Sequence, residues 1–279
     1  MKAKHNTFIK TKDFLVSAEE FSLICSEAQG VLKTTPIPEN LEKYYQSEEY
    51  ISHTDSKESI FEKAYQLVKK IALNNKIKLI KKLNNGSGKL LDVGSGTGDF
   101  LAVAKKFNWK VFGVEPNKEA RTLSEKKGVS VCENLTDIQE FNFDVITLWH
   151  VLEHVLDIDS YVSIISRKLK PDGILIIAVP NYKSKDAQHY KKFWAAYDVP
   201  RHIWHFSKSG IKRVLEKHNL KLLKTKPMWF DSFYVSLLSE KYKTGKLNWI
   251  KAGFIGLYSN LAGLRSKEYS SHIYIFKKQ

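Results

Sequence analysis

The sequence predicts an α/β protein built on a parallel sheet with helices on both faces, and three observations carry that prediction. From Lys89 onward short β-rich runs alternate with stretches of helical periodicity, the order that βαβ units produce. The runs are continuously apolar, as strands covered on both faces require. The first of them passes directly into a glycine-rich turn and a helix, LLDVGSGTGDF at residues 90–100, a junction that lets backbone approach a ligand without a Cβ in the way.

Ahead of the sheet, Pro36, Pro38 and the aromatic run from Tyr44 to His53 are expected to form an N-terminal extension over residues 1–58, a lid and not a separate domain. Ser59 and Glu62 have capping-box spacing at the start of a long helix. Phe61, Ala64, Val68, Ile71 and Ala72 share one face of it, expected to pack on the first strand. Strands are expected over Lys89 to Val93, Lys110 to Glu115, Val129 to Cys132, Phe143 to Trp149 and Ile174 to Val179. Between the first two, Phe100, Leu101, Val103, Ala104 and Phe107 recur at helical spacing. Between the last two, Asp157 to Leu169 is amphipathic and closed by Pro171-Asp172-Gly173. After Pro180 come a polar stretch, a helix near Ser207 to His218, a strand near Leu220 to Thr225, two further helical segments and an alternating strand, Ser271 to Lys277. The main domain, 59–279, thus carries insertions at about 181–206 and 226–268.

Composition narrows the class. A hydrophobic content of 43% with 12% aromatic residues supports a sizeable core, and 27% charged residues with 14 glycines and 7 prolines excludes disorder and collagen-like repetition. Cys25 and Cys132 form no CxxC pair, so neither a disulfide framework nor a cysteine zinc site is expected, and a reducing cytoplasm fits. MKAKHNTFIK has no apolar signal core, and the nearest approach to a spanning segment, Leu247 to Leu264, is interrupted by Lys251 and polar residues. Contact with a membrane would therefore be peripheral. The net charge of +15 is uneven: residues 91–180 hold 10 basic and 13 acidic side chains, residues 181–279 hold 20 and 6. Such a field favours an anionic partner, whether nucleic acid, acidic lipid or an anionic small molecule; a solvated lysine-rich surface is the alternative.

Three ligand chemistries compete for the glycine loop. A phosphate-binding P-loop fails because Leu83 and Leu90 stand where its glycine and its hydroxyl residue belong around Gly88-Lys89. A dinucleotide loop would need glycine at 99, where Asp99 would face the phosphates. S-adenosylmethionine carries no phosphate and bears a sulfonium, so the acidic neighbours Asp92 and Asp99 suit it. The second strand then ends in Gly113-Val114-Glu115, where a carboxylate can accept both ribose hydroxyls.

At these residues the chain resembles the class I S-adenosylmethionine-dependent methyltransferases, and more narrowly their ubiquinone-biosynthesis-like branch (methyltransferase domain 23 type). The resemblance is carried by LLDVGSGTGDF, VFGVEP, FDVITLWHVLEHV and LKPDGILIIAVPN, and extends to YYQSEEYISHT and DVPRHIWHFS. It implies a doubly wound, seven-stranded Rossmann-like sheet whose last strand lies antiparallel beside the fifth. It also implies Gly94, Gly96 and Gly98 at the methionine end of the cofactor, Glu115 at the ribose, Glu133 and Asn134 at the adenine, and Trp149 and His150 beneath the sulfonium, with Asp92, Ser95 and Pro116 expected among the other cofactor-binding residues.

His150-Val-Leu-Glu153-His154 also matches the H-x-x-E-H pattern of inverted zincins, but it follows a buried strand instead of lying within a helix. Some ubiquinone-type members are thought to hold a divalent ion through an acidic-x-x-Glu-His version of this segment; His150 replaces the acidic residue here, and no metal is expected. A neutral imidazole at His150 or His154 can instead take the acceptor's proton, or Glu153 and His154 can be purely structural. His202 joins Asp198 and Arg201 in a second cluster, with Arg201 suited to a carboxylate or phosphate on the acceptor, or else stapled to Asp198. The expectation is a methyltransferase for an anionic, small or lipid-like acceptor. Its rivals are an RNA-binding or RNA-methylating protein, disfavoured because Trp149-His150-Val151-Leu152 is no base-flipping NPPY-like tetrapeptide, and a cofactor-binding protein without transfer activity.

Overall fold

The computed structural model describes residues 6–45 and 60–279. Three strands come first: β1 (Thr7–Lys12), β2 (Glu20–Cys25) and β3 (Val31–Thr35). Helix α1 (Ile60–Leu83) precedes the alternating series β4 (Lys89–Val93), α2 (Asp99–Lys106), β5 (Lys110–Val114), α3 (Lys118–Lys126), β6 (Val131–Cys132), β7 (Phe143–Trp149), α4 (Ile158–Lys168) and β8 (Leu169–Pro180). Then follow α5 (Lys185–Tyr190), β9 (Trp204–Phe206), α6 (Lys208–Glu216), β10 (Leu220–Pro227), α7 (Asp231–Thr244), α8 (Trp249–Ser266) and β11 (Ser271–Lys278).

A seven-stranded sheet, ordered β10-β11-β8-β7-β4-β5-β6, forms the centre. Its strands β4 to β8 are parallel, while β11 runs antiparallel beside β8, from Ser271 opposite Pro180 to Lys277 opposite Ile174. The doubly wound sheet with its antiparallel last strand is therefore as expected. Its apolar runs are continuous because successive side chains enter two different cores. Leu91, Ile146, Leu175 and Ile177 pack on one face, and Leu90, Val145, Ile174 and Ile176 on the other.

Several boundaries differ from expectation. Strand β8 begins at Leu169 and absorbs Pro171-Asp172-Gly173, with a register shift between Phe143 and Val145 on its neighbour. Ile71 of α1, expected inward, is 47% exposed, whereas Ile77 and Ile80 are buried. The packed face at this end of the helix is the Leu73-Ile77-Ile80 stripe, spaced i, i+4, i+7. Ser59 and most of the Tyr44 to His53 run lie outside the described residues.

The N-terminal strands were not foreseen. They form a second, antiparallel sheet ordered β1-β2-β3-β9, in which Val31 pairs with Phe206 and Lys33 with Trp204. Strands β1–β3 are thus joined by backbone pairing to the segment that carries His202 and His205, and Thr34 Oγ1 donates to the His202 carbonyl at 2.6 Å.

Candidate functional site

The turn after β4 requires glycine three times over. Gly94, Gly96 and Gly98 have φ of +70°, +54° and +75°, a region that side chains with a Cβ rarely adopt. The backbone N–H groups of Gly94 and Ser95 both donate to the Val114 carbonyl, at 2.7 and 2.9 Å, closing the loop over the end of β5. A Cβ at Gly94 would lie 2.3 Å from Val151 Cγ2 and one at Gly98 2.6 Å from Ser124 Oγ, but one at Gly96 would meet nothing within 4 Å. Gly96 is the position that opens the loop toward a ligand.

Glu115 follows β5 directly. One of its carboxylate oxygens accepts from the Gly96 N–H at 2.9 Å and the other from the Asn117 N–H at 3.0 Å, so the acid is fixed against the loop. The carbonyls of Glu115 and Pro116 both accept from Arg121 Nη1, whose other terminal nitrogen pairs with Glu133 at 2.8 Å. The Asn134 N–H and side-chain amide both donate to Asp137 Oδ2, at 2.9 and 3.3 Å, closing the short turn after β6. Asp99 pairs with Lys69 and Lys127, at 2.6 and 2.7 Å.

Below the loop lies a cradle for a cation. Asp92 is buried and accepts a 2.6 Å hydrogen bond from Thr147 Oγ1; burial pushes its carboxyl up to about 7. Lys76, from α1, holds its ammonium 4.1 Å from the centre of the Trp149 ring. Burial takes that amine down to about 8, against the opposing pull of Asp92 and Asp231. Among the described residues the buried Ser95 hydroxyl and the Trp149 indole N–H have no hydrogen-bond partner. An open glycine, a fixed ribose-type carboxylate, a cation cradle and two unsatisfied polar atoms fit S-adenosylmethionine.

The acceptor side differs from the sequence reading in protonation. His150, at φ +58°, places its imidazole between Glu153 and Asp231, each at 3.3 Å. Burial would depress its pKa, but hydrogen bonds to Asp231 and Glu153 outweigh it and raise the ring to about 10. His150 is therefore an imidazolium at neutral pH and not the neutral base expected. His154 is the reverse: burial and the neighbouring His202 bring it down to about 4. Its Nδ1 lies 3.1 Å from the Arg201 carbonyl and 3.1 Å from the Tyr45 hydroxyl, and His202 Nδ1 lies 3.0 Å from the Ala196 carbonyl. Each ring thus turns Nδ1 toward a backbone carbonyl, and that of His154 also meets the Tyr45 hydroxyl.

Donor atoms of Glu153, His154 and His202 lie within 4.8 Å of one another, and Glu153, 1% exposed, has one carboxylate oxygen without a hydrogen-bond partner among the described residues. The chain distant in sequence thus supplies, through His202, a third donor that H-x-x-E-H lacks once His150 is bound to Asp231. This group could hold a divalent cation.

Arg201 is corrected. It is 1% exposed, with its guanidinium on Asp13 at 3.0 Å, on Asp198 at 2.6 and 2.9 Å and on the Tyr44 carbonyl at 2.9 Å. Two carboxylates and a carbonyl consume the donors expected to meet an acceptor. Lys76, Asp231 and Tyr45 were missed. Asp231 alone left a trace, as one of few acids in a basic third of the chain; Lys76 looks like any solvent-facing lysine of a helix.

A family model described as a methyltransferase domain matches residues 49–225. A ubiquinone biosynthesis O-methyltransferase of Actinobacillus pleuropneumoniae is 34% identical over 131 residues, covering 40% of this chain and 56% of that protein. One from Bradyrhizobium sp. is 30% identical over 110 residues, 36% of this chain and 44% of its own. The chain thus spans about half the length of the curated relatives it matches. Among solved structures, geranyl diphosphate C-methyltransferase from Streptomyces coelicolor superposes with a TM-score of 0.55 at 16% identity, over 81% of this chain and 88% of that one. Magnesium protoporphyrin IX methyltransferase from Synechocystis, with bound S-adenosylhomocysteine, does so at 0.54 and 12%, over 85% and 92%. At such identities the superpositions show the fold.

Proposed function

This chain belongs to the methyltransferase domain family, and from that premise we propose that it uses S-adenosylmethionine to methylate an oxygen of a small, anionic or lipid-like acceptor. The observation that carries this reading is the carboxylate fixed against an open glycine loop: Glu115 accepts from the Gly96 N–H at 2.9 Å, and a Cβ at Gly96 would meet nothing within 4 Å.

The cofactor supplies an activated methyl group, so the protein's work is chiefly alignment, which can contribute ~7 to 11 kcal/mol. Gly96 admits the ligand against the backbone, Glu115 accepts from the ribose hydroxyls, and Asp92 with Trp149 attracts positive charge. The imidazolium of His150, pinned by Glu153 and Asp231, fixes the end of β7 and joins it to α7. His154 is neutral; it takes the proton of the acceptor hydroxyl as the oxygen–methyl bond forms. The oxygen acceptor follows the curated relatives, and its anionic or lipid-like character follows the basic excess of residues 181–279.

A second reading of the same cluster is favoured by the unpartnered Glu153 oxygen: Glu153, His154 and His202 would hold a divalent cation that binds the acceptor oxygen. One experiment separates the two. Purified protein is incubated with labelled S-adenosylmethionine and host extract, and methylated small molecules are identified by mass spectrometry before and after chelation. Turnover that survives EDTA supports His154 as the base. Loss restored by a divalent ion supports the metal, and absence of any methylated product contradicts transfer altogether.

A further inference from the structure

Helix α8 is built inside out. The fully buried residues it turns toward the protein are small or polar, namely Ala252, Gly256, Ser259, Asn260 and Gly263, with the half-buried Ile255 packed beside them on the core. Its large apolar residues Ile250, Phe254, Leu257, Leu261 and Leu264 are between 48% and 76% exposed. Their spacing, i, i+4, i+7, i+11, i+14, puts all five on one stripe.

This is not a helix that failed to find its core, because its inner face is specifically seated. A Cβ at Gly256 would lie 2.8 Å from Phe233 Cδ1 and one at Gly263 2.7 Å from Tyr269 Cδ1, so both glycines permit close approach. Ser259 Oγ donates to Asp186 at 2.6 Å and Asn260 Nδ2 to the Trp229 carbonyl at 2.8 Å. The apolar surface continues onto Phe230, 69% exposed just before α7. A stripe of this size on the outside marks an interaction surface.

Charge selects the occupant. Helix α8 contains no acidic residue, and Lys251 pairs with the buried Glu240 at 3.1 Å. Exposed Lys243 and Lys246 flank its start, and exposed Arg265 and Lys267 its end. A second copy packed on this stripe as a coiled coil would need opposite charges beside the seam, yet the flanking positions carry Lys251, Tyr258 and Arg265. No helix among the described residues is long and apolar enough to cross a membrane, and half of α8 is committed to the protein. An apolar stripe rimmed by cations suits a helix lying in an anionic interface.

We propose that the α8 face docks on an anionic lipid bilayer, with the helix parallel to its plane. Asp231, in the first turn of α7, reaches His150, so docking brings the roof of the candidate site to the lipid surface. The proposal stands apart from methyl transfer, since it is tested without cofactor or acceptor.

The test is flotation of the full chain with vesicles of phosphatidylcholine containing about 30% phosphatidylglycerol, against phosphatidylcholine alone, at about 0.1 M salt. Binding should favour the anionic vesicles at least about tenfold and fall at high salt. Phe254→Ser with Leu261→Ser should abolish it, and Lys243→Gln with Lys246→Gln should weaken it by roughly tenfold. All four side chains are exposed, so circular dichroism and Tm should stay at wild-type values. Equal binding to both vesicle types, no binding to either, or undiminished binding by the Phe254/Leu261 variant would overturn the proposal. So would a dimer in sedimentation that this variant dissociates, which would assign the face to a second copy.

Discussion

Asp92 and Lys76 set the terms of cofactor binding at the residue scale. Burial keeps the Asp92 proton on up to about pH 7, and a bound cation favours the carboxylate. Affinity for S-adenosylmethionine should therefore rise as pH goes from about 6 to 8 and level off above. Lys76→Met removes the ammonium that favours the ionised acid, so the midpoint should move to higher pH. Calorimetry across that range checks both, and a pH-independent wild-type affinity would contradict the assignment. Glu115, Asp92 and the glycines were legible in the sequence because a carboxylate or a glycine on an apolar strand has few structural reasons to be there. The charge states of His150 and His154 were not, because they depend on Asp231, Arg201 and His202, which only the fold brings near.

Among the elements, the β4–α2 turn separates folding from binding. Gly94→Ala combines left-handed strain with a 2.3 Å approach to Val151, whereas Gly96→Ala adds strain and no clash. The left-handed conformation alone costs about 1–2 kcal/mol. Gly94→Ala should therefore lower Tm more than Gly96→Ala does. Gly96→Val should weaken cofactor binding beyond what its stability loss explains, as paired melts and titrations will show. The five parallel strands were readable because each is a short apolar run between helical patterns. The β1–β3 sheet was not, since its pairing with Trp204–Phe206 joins residues some 170 positions apart and leaves no local signature.

Across the whole molecule, Arg201 ties the N-terminal sheet to the methyltransferase body. Arg201→Met would leave Asp13 and Asp198 without their shared cation, a loss of about 3–5 kcal/mol for a buried pair broken on one side. Burial opposes the Asp13 charge, but the Ser17 and Leu15 N–H groups and Arg201 together hold its carboxyl below the usual value of 3.8. Its stabilisation is thus full above that value and is lost as pH falls through the lowered one. Acid melts of Arg201→Met should accordingly show a weaker pH dependence than wild type below about pH 4. The basic excess of residues 181–279 includes exposed Lys243, Lys246, Arg265 and Lys267 beside α8, whereas the Arg201 guanidinium is buried. The central claim is that the loop, Glu115 and the Asp92–Trp149 cradle form one cofactor site, and titration of S-adenosylhomocysteine into wild-type and Glu115→Ala protein tests it most directly. Saturable wild-type binding that weakens by about tenfold or more in the variant, the range for hydrogen bonds to a charged group, is the predicted result; equal affinity in both, or none in the wild type, would contradict it.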